Sequence, residues 1–290
     1  MTDASRPDEQ PAPCSACGRR AGHAPTFAGL QRCLACGFIS FDAAAVDVNE
    51  LYDDAYFAGG EYADYRGQEP AIRRSMRRHL AQMSRYQPPG GSLLEVGCAY
   101  GFFLDEARGR FARVAGVDVA QGAVSYARDT LHLDASVADF PSLATATRYD
   151  AICMWDTIEH VPEPERFVTK AHELLAPGGH LFITTGDIDS FNARLRGAKW
   201  RQIHPPTHVN YFSKRTLALM LERLGFRTVG VETASYYHTL YDVCAILELR
   251  GGAMGRAAGV ARRVAGPRLG NRLGVWVDLR DILFVAAARQ

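Results

Sequence analysis

The chain has almost no excess of charge of either sign: 33 Lys and Arg stand against 32 Asp and Glu in 290 residues, a formal net charge of +1. Without a basic surplus there is no whole-chain electrostatic reason to bind nucleic acid or an anionic surface, which disfavours a dedicated polyanion binder. Long hydrophobic runs are also missing, and none approaches the roughly 18 uncharged residues of a membrane span. The stretch Met1 to Pro13 is polar, acidic and proline-rich, unlike the basic-then-apolar start of a secretory signal. Cysteine is sparse and odd in number, seven, which excludes a fully paired disulfide framework. No segment repeats. What is left is an ordinary globular chain, expected in the cytoplasm, with 47% hydrophobic residues and ample length for a core.

Four of the cysteines form two identical pairs. Cys14 and Cys17 are followed, after fifteen residues, by Cys33 and Cys36, and each pair ends in glycine, Gly18 and Gly37. This C-x2-C-x15-C-x2-C spacing suits tetrahedral zinc, because each short pair makes a tight turn that aims two thiolates at one ion while the glycine accepts the strained backbone. A redox dithiol has no use for a second matched pair. Four thiolates close the coordination sphere, so Cys14, Cys17, Cys33 and Cys36 are expected to bind a structural Zn2+ with no catalytic part. Cys98, Cys153 and Cys244 lie in apolar segments and read as small core residues.

Along the chain, residues 1–11 read as a disordered leader and 12–41 as a zinc ribbon too small to build a core without its metal. Residues 42–90 follow as a tyrosine-rich segment and a helix. Tyr52, Tyr56, Phe57, Tyr62 and Tyr65 crowd the first part, read either as core or as a lid that excludes water, and Ile72, Met76, Leu80 and Met83 recur at helical spacing in the second. From Ser92 short apolar runs alternate with helical stretches. The runs span 92–97, 114–119, 135–140, 149–156, 180–185, 226–232 and 282–288, with helices expected near 101–109, 121–130 and 164–176 and another between Ser213 as N-cap and Gly225 as stop. Such alternation means an α/β fold with a seven-stranded, mostly parallel, Rossmann-like sheet, its core in 91–235, a helical insertion in 236–281 and the last strand in 282–290. Ligands of such sheets bind beyond the carboxyl ends of the strands.

The first of these strands ends in Glu95-Val96-Gly97-Cys98-Ala99-Tyr100-Gly101, then opens a helix with Phe102-Phe103-Leu104. Glycines there let the backbone pass close to a ligand before an electropositive helix start. A pyrophosphate-binding dinucleotide site reads G-x-G-x-x-G; the shorter G-x-A-x-G preceded by Glu95 is instead similar to class I S-adenosylmethionine-dependent methyltransferases. Asp118 ends the second strand, Ala138-Asp139-Phe140 the third, Cys153-Met-Trp-Asp-Thr-Ile-Glu-His-Val-Pro-Glu-Pro164 the fourth, and Leu175-Ala-Pro-Gly-Gly179 precedes the fifth. Together with the cysteine ribbon, the L-Y-x-x-x-Y-F segment from Leu51 and H-P-P-x-H-x-x-Y-F-S from His204, nearly the whole chain resembles a mixed group of bacterial small-molecule methyltransferases. That resemblance implies S-adenosylmethionine held by Gly97, Ala99, Gly101, Asp118 and Asp139, with Glu95 ordering the loop, and an acceptor that is a sugar, a glycan precursor or a secondary-metabolite intermediate.

For the acceptor side, methyl transfer from a sulfonium is an in-line displacement that needs alignment and, for a weakly acidic nucleophile, a proton acceptor. Histidine suits that task. His160 follows the fourth strand, and His204 and His208 flank Pro205 and Pro206, which stiffen the loop. We expect His208 as base, projecting over the donor methyl, His160 as the residue that orients the acceptor, and His204 as a further contact; the intervening prolines argue against His204 and His208 as a metal pair. The fourth-strand stretch also resembles quinone O-methyltransferases, where another Glu joins the Glu-His pair in binding a divalent metal. Trp155, read at that position, disfavours a metal mechanism and serves as a flat wall toward the cofactor.

Residues 250–272 carry Arg250, Arg256, Arg262, Arg263, Arg268 and Arg272 with no acid among them, a solvated face or a contact with membrane, phosphate-bearing substrate or RNA. Two other functions compete. An RNA methyltransferase reading its target through the ribbon is disfavoured because the ribbon's cations are only Arg19, Arg20 and Arg32. A non-catalytic cofactor-binding module is disfavoured by three candidate histidines beside an intact loop. Oxygen, nitrogen and carbon acceptors, and any oligomeric state, are all compatible with the motifs.

Overall fold

A computed structural model describes residues 12–42 and 65–290; the leader and all the tyrosine segment before Tyr65 lie outside the described residues. The ribbon holds β1 (His23–Pro25), β2 (Gln31–Cys33) and β3 (Ile39–Ser40), and α1 (Glu69–Met83) precedes the core. The core runs β4 (Ser92–Val96), α2 (Phe102–Ala107), β5 (Arg113–Asp118), α3 (Gln121–Asp129), β6 (Asp134–Val137), β7 (Tyr149–Trp155), α4 (Pro164–Leu174) and β8 (Leu175–Gly186). It continues through α5 (Phe191–Arg196), β9 (Asn210–Tyr211), α6 (Lys214–Arg223) and β10 (Phe226–Thr233). Then come β11 (Tyr236–Thr239), α7 (Leu240–Arg250), α8 (Gly252–Gly270), β12 (Gly274–Val277) and β13 (Ile282–Arg289).

Seven strands form one sheet in the order β10-β13-β8-β7-β4-β5-β6. Strands β4 to β8 pair in parallel, while β13 is antiparallel to both neighbours. The central strand β7 is covered on both faces, as an apolar run without alternation requires. Its Ile152 and Met154 join a core with Val168 of α4 and Leu217 and Met220 of α6, whereas Ala151, Cys153 and Trp155 join Phe103, Val124 and Phe284 on the opposite face. Helix α6 starts where Ser213 and Thr216 exchange side-chain and backbone hydrogen bonds and ends before Gly225 at φ +85°. The seven expected strands and the expected helices are all present within a few residues.

Three features differ from the sequence reading. Helix α1 buries Ala71, Ser75, His79, Gln82 and Met83, a stripe turned one position from the expected one: Met76 and Leu80 are only partly buried at the edge of the core, and Ile72 and Met76 line a cavity. The insertion 236–281 is not purely helical: it opens and closes with β11 and β12, an antiparallel pair around the α7–α8 hairpin. The ribbon is not a separate unit, since β9 from the core completes a four-stranded sheet β1-β2-β3-β9. In the basic segment, Arg262 and Arg263 both pair with Glu248 of α7, while Met254, Val260 and Val264 are exposed on α8. Among the described residues no helix is long and apolar enough to cross a membrane.

Candidate active site

Beyond the carboxyl ends of β4 to β7 lies a cavity of about 870 Å3. Its first half is built around the loop after β4. Gly97 has φ +76°, and a Cβ there would sit 2.7 Å from the Thr157 hydroxyl, so the loop closes on the following strand end only with glycine. Ala99 also adopts a positive φ, +44°. What holds it is Asp118: one carboxylate oxygen accepts the Ala99 N–H at 2.8 Å and the other the Ala120 N–H at 2.9 Å, fastening the loop to the end of β5. Each oxygen keeps a lone pair for further donors. Burial raises the pKa of Asp118, and its backbone donors oppose that. Beneath it Glu95 is fully buried, its pKa pushed well up by burial and by the Asp118 charge.

Gly97, Ala99, Asp118, Asp139, Trp155 and His160 all line the cavity. Gly101 does not; a Cβ there would meet Leu133 at 2.6 Å, so its role is to let α2 pack. Asp139 accepts the Ser142 hydroxyl at 2.6 Å. Trp155 lines the cavity, backed by Phe284 with ring centroids 5.9 Å apart and by His79 at 5.1 Å.

The other half joins residues that are far apart in sequence. Asp156 has φ +47°, which turns its carboxylate to accept Tyr236 Oη at 2.5 Å and the Thr184 hydroxyl at 2.9 Å. Burial raises the pKa of Asp156. Sequence reading missed Tyr236, because its segment carries no motif and reaches the site only through β11 packing on α1, where Tyr237 N donates to Ser75 Oγ at 2.9 Å. The positive φ of Asp156 is visible only in the structure; its one signal in the sequence was its place at the end of the fourth apolar run.

At the end of the same turn Glu159, His160 and His208 each place a ligand atom within 4.8 Å of the others. His160 Nδ1 lies 3.0 Å from the Thr207 carbonyl and His208 Nδ1 3.0 Å from the Gln202 carbonyl. A carbonyl only accepts, so both protons sit on Nδ1 and both Nε2 atoms carry lone pairs. Burial lowers the His160 pKa to about 4 and drives that of His208 well below its ordinary value. Glu159 Oε2 is buried without a hydrogen-bond partner, and burial with the Asp156 charge lifts its pKa well up. Two unprotonated imidazoles and a carboxylate match a divalent first-row cation, each ring oriented by a backbone carbonyl.

This arrangement corrects one expectation. His208 does not project over the cavity: it is buried and absent from the lining, set edge-on to His160 (centroids 4.5 Å) and tilted against His204 (3.8 Å). The loop is folded back because Val209 and Asn210 N–H both bond the Glu159 carbonyl, at 2.9 and 3.0 Å.

A family model described as a methyltransferase domain matches residues 65–231, more than half of the chain and the segment that carries the loop, Asp118 and the Glu159-His160 pair. The chain belongs to the class I S-adenosylmethionine-dependent methyltransferases. This methyltransferase is 32% identical over 166 residues to the ubiquinone biosynthesis O-methyltransferase of Xanthomonas axonopodis pv. citri (strain 306), covering 53% of the chain and 70% of that protein. It is 31% identical over 163 residues to the protein of that name in Coxiella burnetii (strain Dugway 5J108-111), covering 52% and 69%. Its fold is shared with the magnesium protoporphyrin IX methyltransferase of Synechocystis PCC 6803, solved with bound S-adenosylhomocysteine (TM-score 0.55, 12% identity, 84% of this chain and 100% of that one). The cyclase SpnF has it too (TM-score 0.51, 20% identity, 74% and 81%). The fold therefore supports methyl transfer and other chemistry alike, and residues decide which.

Away from the cavity, the Sγ atoms of Cys14, Cys17, Cys33 and Cys36 also lie within 4.8 Å of one another. None of the seven cysteines is in a disulfide. Gly18 and Gly37, at φ +70° and +74°, donate to the carbonyls of Cys14 and Cys33 at 2.7 and 2.8 Å and close the two turns as the spacing predicts.

Proposed function

We propose that this methyltransferase transfers the methyl group of S-adenosylmethionine to a hydroxyl oxygen of a small molecule that carries two neighbouring oxygens, such as a catechol, an enediol or a sugar diol. The observation that carries the reading is the convergence of Glu159 and His208, both buried behind the cavity wall, on His160, which lines the cavity. A divalent cation held there would supply Lewis acidity, lowering the pKa of a bound hydroxyl toward neutrality. The chain's own residues do the rest. Gly97, Ala99, Asp118 and Asp139 hold the cofactor, Asp118 accepting from the ribose with the lone pairs its backbone bonds leave. Asp156 and Tyr236 form a hydrogen-bonded wall that orients the acceptor, and Trp155 excludes water beside the sulfonium. His208 supports the site from behind, and His204 packs on it.

The similar ubiquinone biosynthesis O-methyltransferases support oxygen as the methylated atom. The donor set of the ribbon supports one structural Zn2+ on Cys14, Cys17, Cys33 and Cys36, and its unpaired thiols fit a cytoplasmic site of action. RNA as substrate has less behind it, since Arg215 and Arg223 of α6 cover the backbone of both cysteine turns.

Incubating the enzyme with methyl-labelled cofactor and bacterial extract, then tracing label by mass spectrometry, tests the reading. An O-methylated small molecule whose formation stops in Glu159→Gln is expected. A labelled nitrogen or carbon, or full turnover in Glu159→Gln, rejects it. Elemental analysis should find one zinc per chain, and disulfides in place of zinc in fresh protein would contradict the ribbon assignment.

A further inference from the structure

The ribbon and the acceptor-side histidines share backbone. Ile39 and Ser40 of β3 pair with Tyr211 and Asn210 of β9, and the Phe41 N–H donates to the Val209 carbonyl at 2.8 Å. Val209 is the neighbour of His208. Tyr211, buried to 3% exposure, donates its hydroxyl to the His208 carbonyl at 2.8 Å. From the other side, Val209 and Asn210 hold the Glu159 carbonyl, and the Asn210 amide bonds the carbonyls of Ile158 and Val161 at 3.2 and 2.6 Å. So β9 lies between the ribbon and the Glu159-His160 turn and touches both. The ribbon is itself pinned. Arg215 donates to the Cys36 carbonyl at 2.5 Å and Arg223 to the Ser15 carbonyl at 2.6 Å, while Phe38 packs on Phe212 with centroids 5.1 Å apart. Cys14, Cys33, Cys36 and Phe38 belong to the same core as Ile158, Val161 and Leu217.

We propose that the four-cysteine ribbon is a positioning element of the acceptor site: through β3, Phe41 and Tyr211 it sets His208 against Glu159 and His160. The physical case is one of geometry. A loop carrying two prolines has few backbone bonds of its own, and a strand of two residues is too short to hold register alone. A cross-linked ribbon supplies a rigid partner strand. A displacement of His208 by about 1 Å is enough to spoil a coordination set or a bound-substrate geometry. None of Tyr211, Phe41 and His208 lines the cavity, so all three act through His160, which does and against which His208 is set.

The inference rests on the proposed cation site only for its first readout. In zinc-loaded full-length protein, Mn2+ affinity would be followed by electron paramagnetic resonance, the His208 ring tautomer by 15N NMR, and S-adenosylhomocysteine affinity by calorimetry. Phe41→Pro removes the Phe41–Val209 bond beside the β3–β9 pairing, and the ring packed on the Tyr211 cluster, without touching a cysteine, and is expected to weaken Mn2+ binding about 10-fold, as loss of a buried hydrogen bond implies. Tyr211→Phe is expected to weaken it about 3-fold, with cofactor affinity unchanged in both. Removing zinc with a chelator should have the effect of Phe41→Pro or a larger one. If the wild type binds no Mn2+, the cation reading fails alone, and the positioning inference then stands or falls on whether the Nδ1–H tautomer of His208 is lost in the variants. Unchanged Mn2+ affinity and unchanged tautomer in Tyr211→Phe and after zinc removal would overturn it; should Phe41→Pro not fold, those two measurements decide.

Discussion

On the cofactor side of the cavity, Gly97, Ala99 and Asp118 come from a single strand–helix–strand unit, β4-α2-β5, and meet by local rules. On the acceptor side, Glu159 and His160 follow β7, His208 comes from the loop before β9, and Tyr236 from the insertion that rests on α1. A carboxylate oxygen is buried without a hydrogen bond on each side, Glu95 Oε2 beneath Asp118 and Glu159 Oε2 beside His160. The two sides differ in how their polar groups are brought together: Asp118 is tied by the Ala99 and Ala120 N–H groups to its own strand–helix–strand unit, whereas His160 and His208 are oriented by the Thr207 and Gln202 carbonyls of the proline loop. The difference teaches that the half around Asp118 is assembled locally and the half around His160 depends on remote elements.

The largest effect should fall on the acceptor half. His160→Ala or His208→Ala is expected to lower turnover by roughly 10²-fold while S-adenosylhomocysteine affinity stays within a few-fold, because the lost group acts only on the acceptor. Paired turnover and calorimetry on each variant check this. Equal losses in both quantities would mean that the halves are not independent, and the contrast between them would fail.

That contrast explains what could be read from the sequence. Gly97, Ala99 and Asp118 were legible because strand end, tight turn and helix start lie within one stretch, and the apolar runs of β4, β7 and β8 announce a buried parallel sheet by composition alone. The clustering of Cys14, Cys17, Cys33 and Cys36 was legible for the same reason: four thiols brought together within one short segment. The placement of His208 was not, since it depends on Val209 and Asn210 bonding the Glu159 carbonyl and on the ribbon strand beside them, none of which spacing reveals. The rotation of α1 was missed because Ile72 and Met76 border a cavity, Met76 touching the core as well, and periodicity does not distinguish a face that meets core from one that borders a cavity. Proline stiffness was read as projection, yet the same stiffness serves a loop that folds back.

A second, smaller effect tests the cofactor half. Asp118→Ala removes the acceptor for Ala99 and Ala120 N–H together with the proposed ribose acceptor, so cofactor affinity should fall by about 10-fold or more, equivalent to ~1.4 kcal/mol or above. Titration of S-adenosylhomocysteine measures it directly. The zinc content and, if the two halves are independent, the Mn2+ affinity of this variant should match the wild type. Undiminished cofactor affinity would remove Asp118 from the site.

The smallest effect concerns the layer beneath both halves. His79 of α1 is fully buried against Trp155, which lines the cofactor side, and edge-on to Tyr236, which lines the acceptor side at 5.4 Å. Burial, aided by the Arg78 charge, lowers its pKa to about 3, against an ordinary 6.5. The unfolded chain therefore takes up this proton first as pH falls, so the stability contribution is complete above pH 6.5 and is lost progressively as pH drops toward 3. Between pH 7.5 and 5 the loss from this one residue should be about 2 kcal/mol, a value insensitive to the depressed pKa as long as it stays below 4. His79→Leu removes the proton site while keeping an apolar side chain in the gap. Its denaturant midpoint should fall less than that of the wild type over the same interval, with both sides of the cavity affected alike, since cofactor and Mn2+ affinity rest on Trp155 and Tyr236 keeping the same support. An identical pH dependence in the two proteins would show that His79 reaches water or a partner in the folded state, and that the floor shared by the two halves is looser than its packing implies.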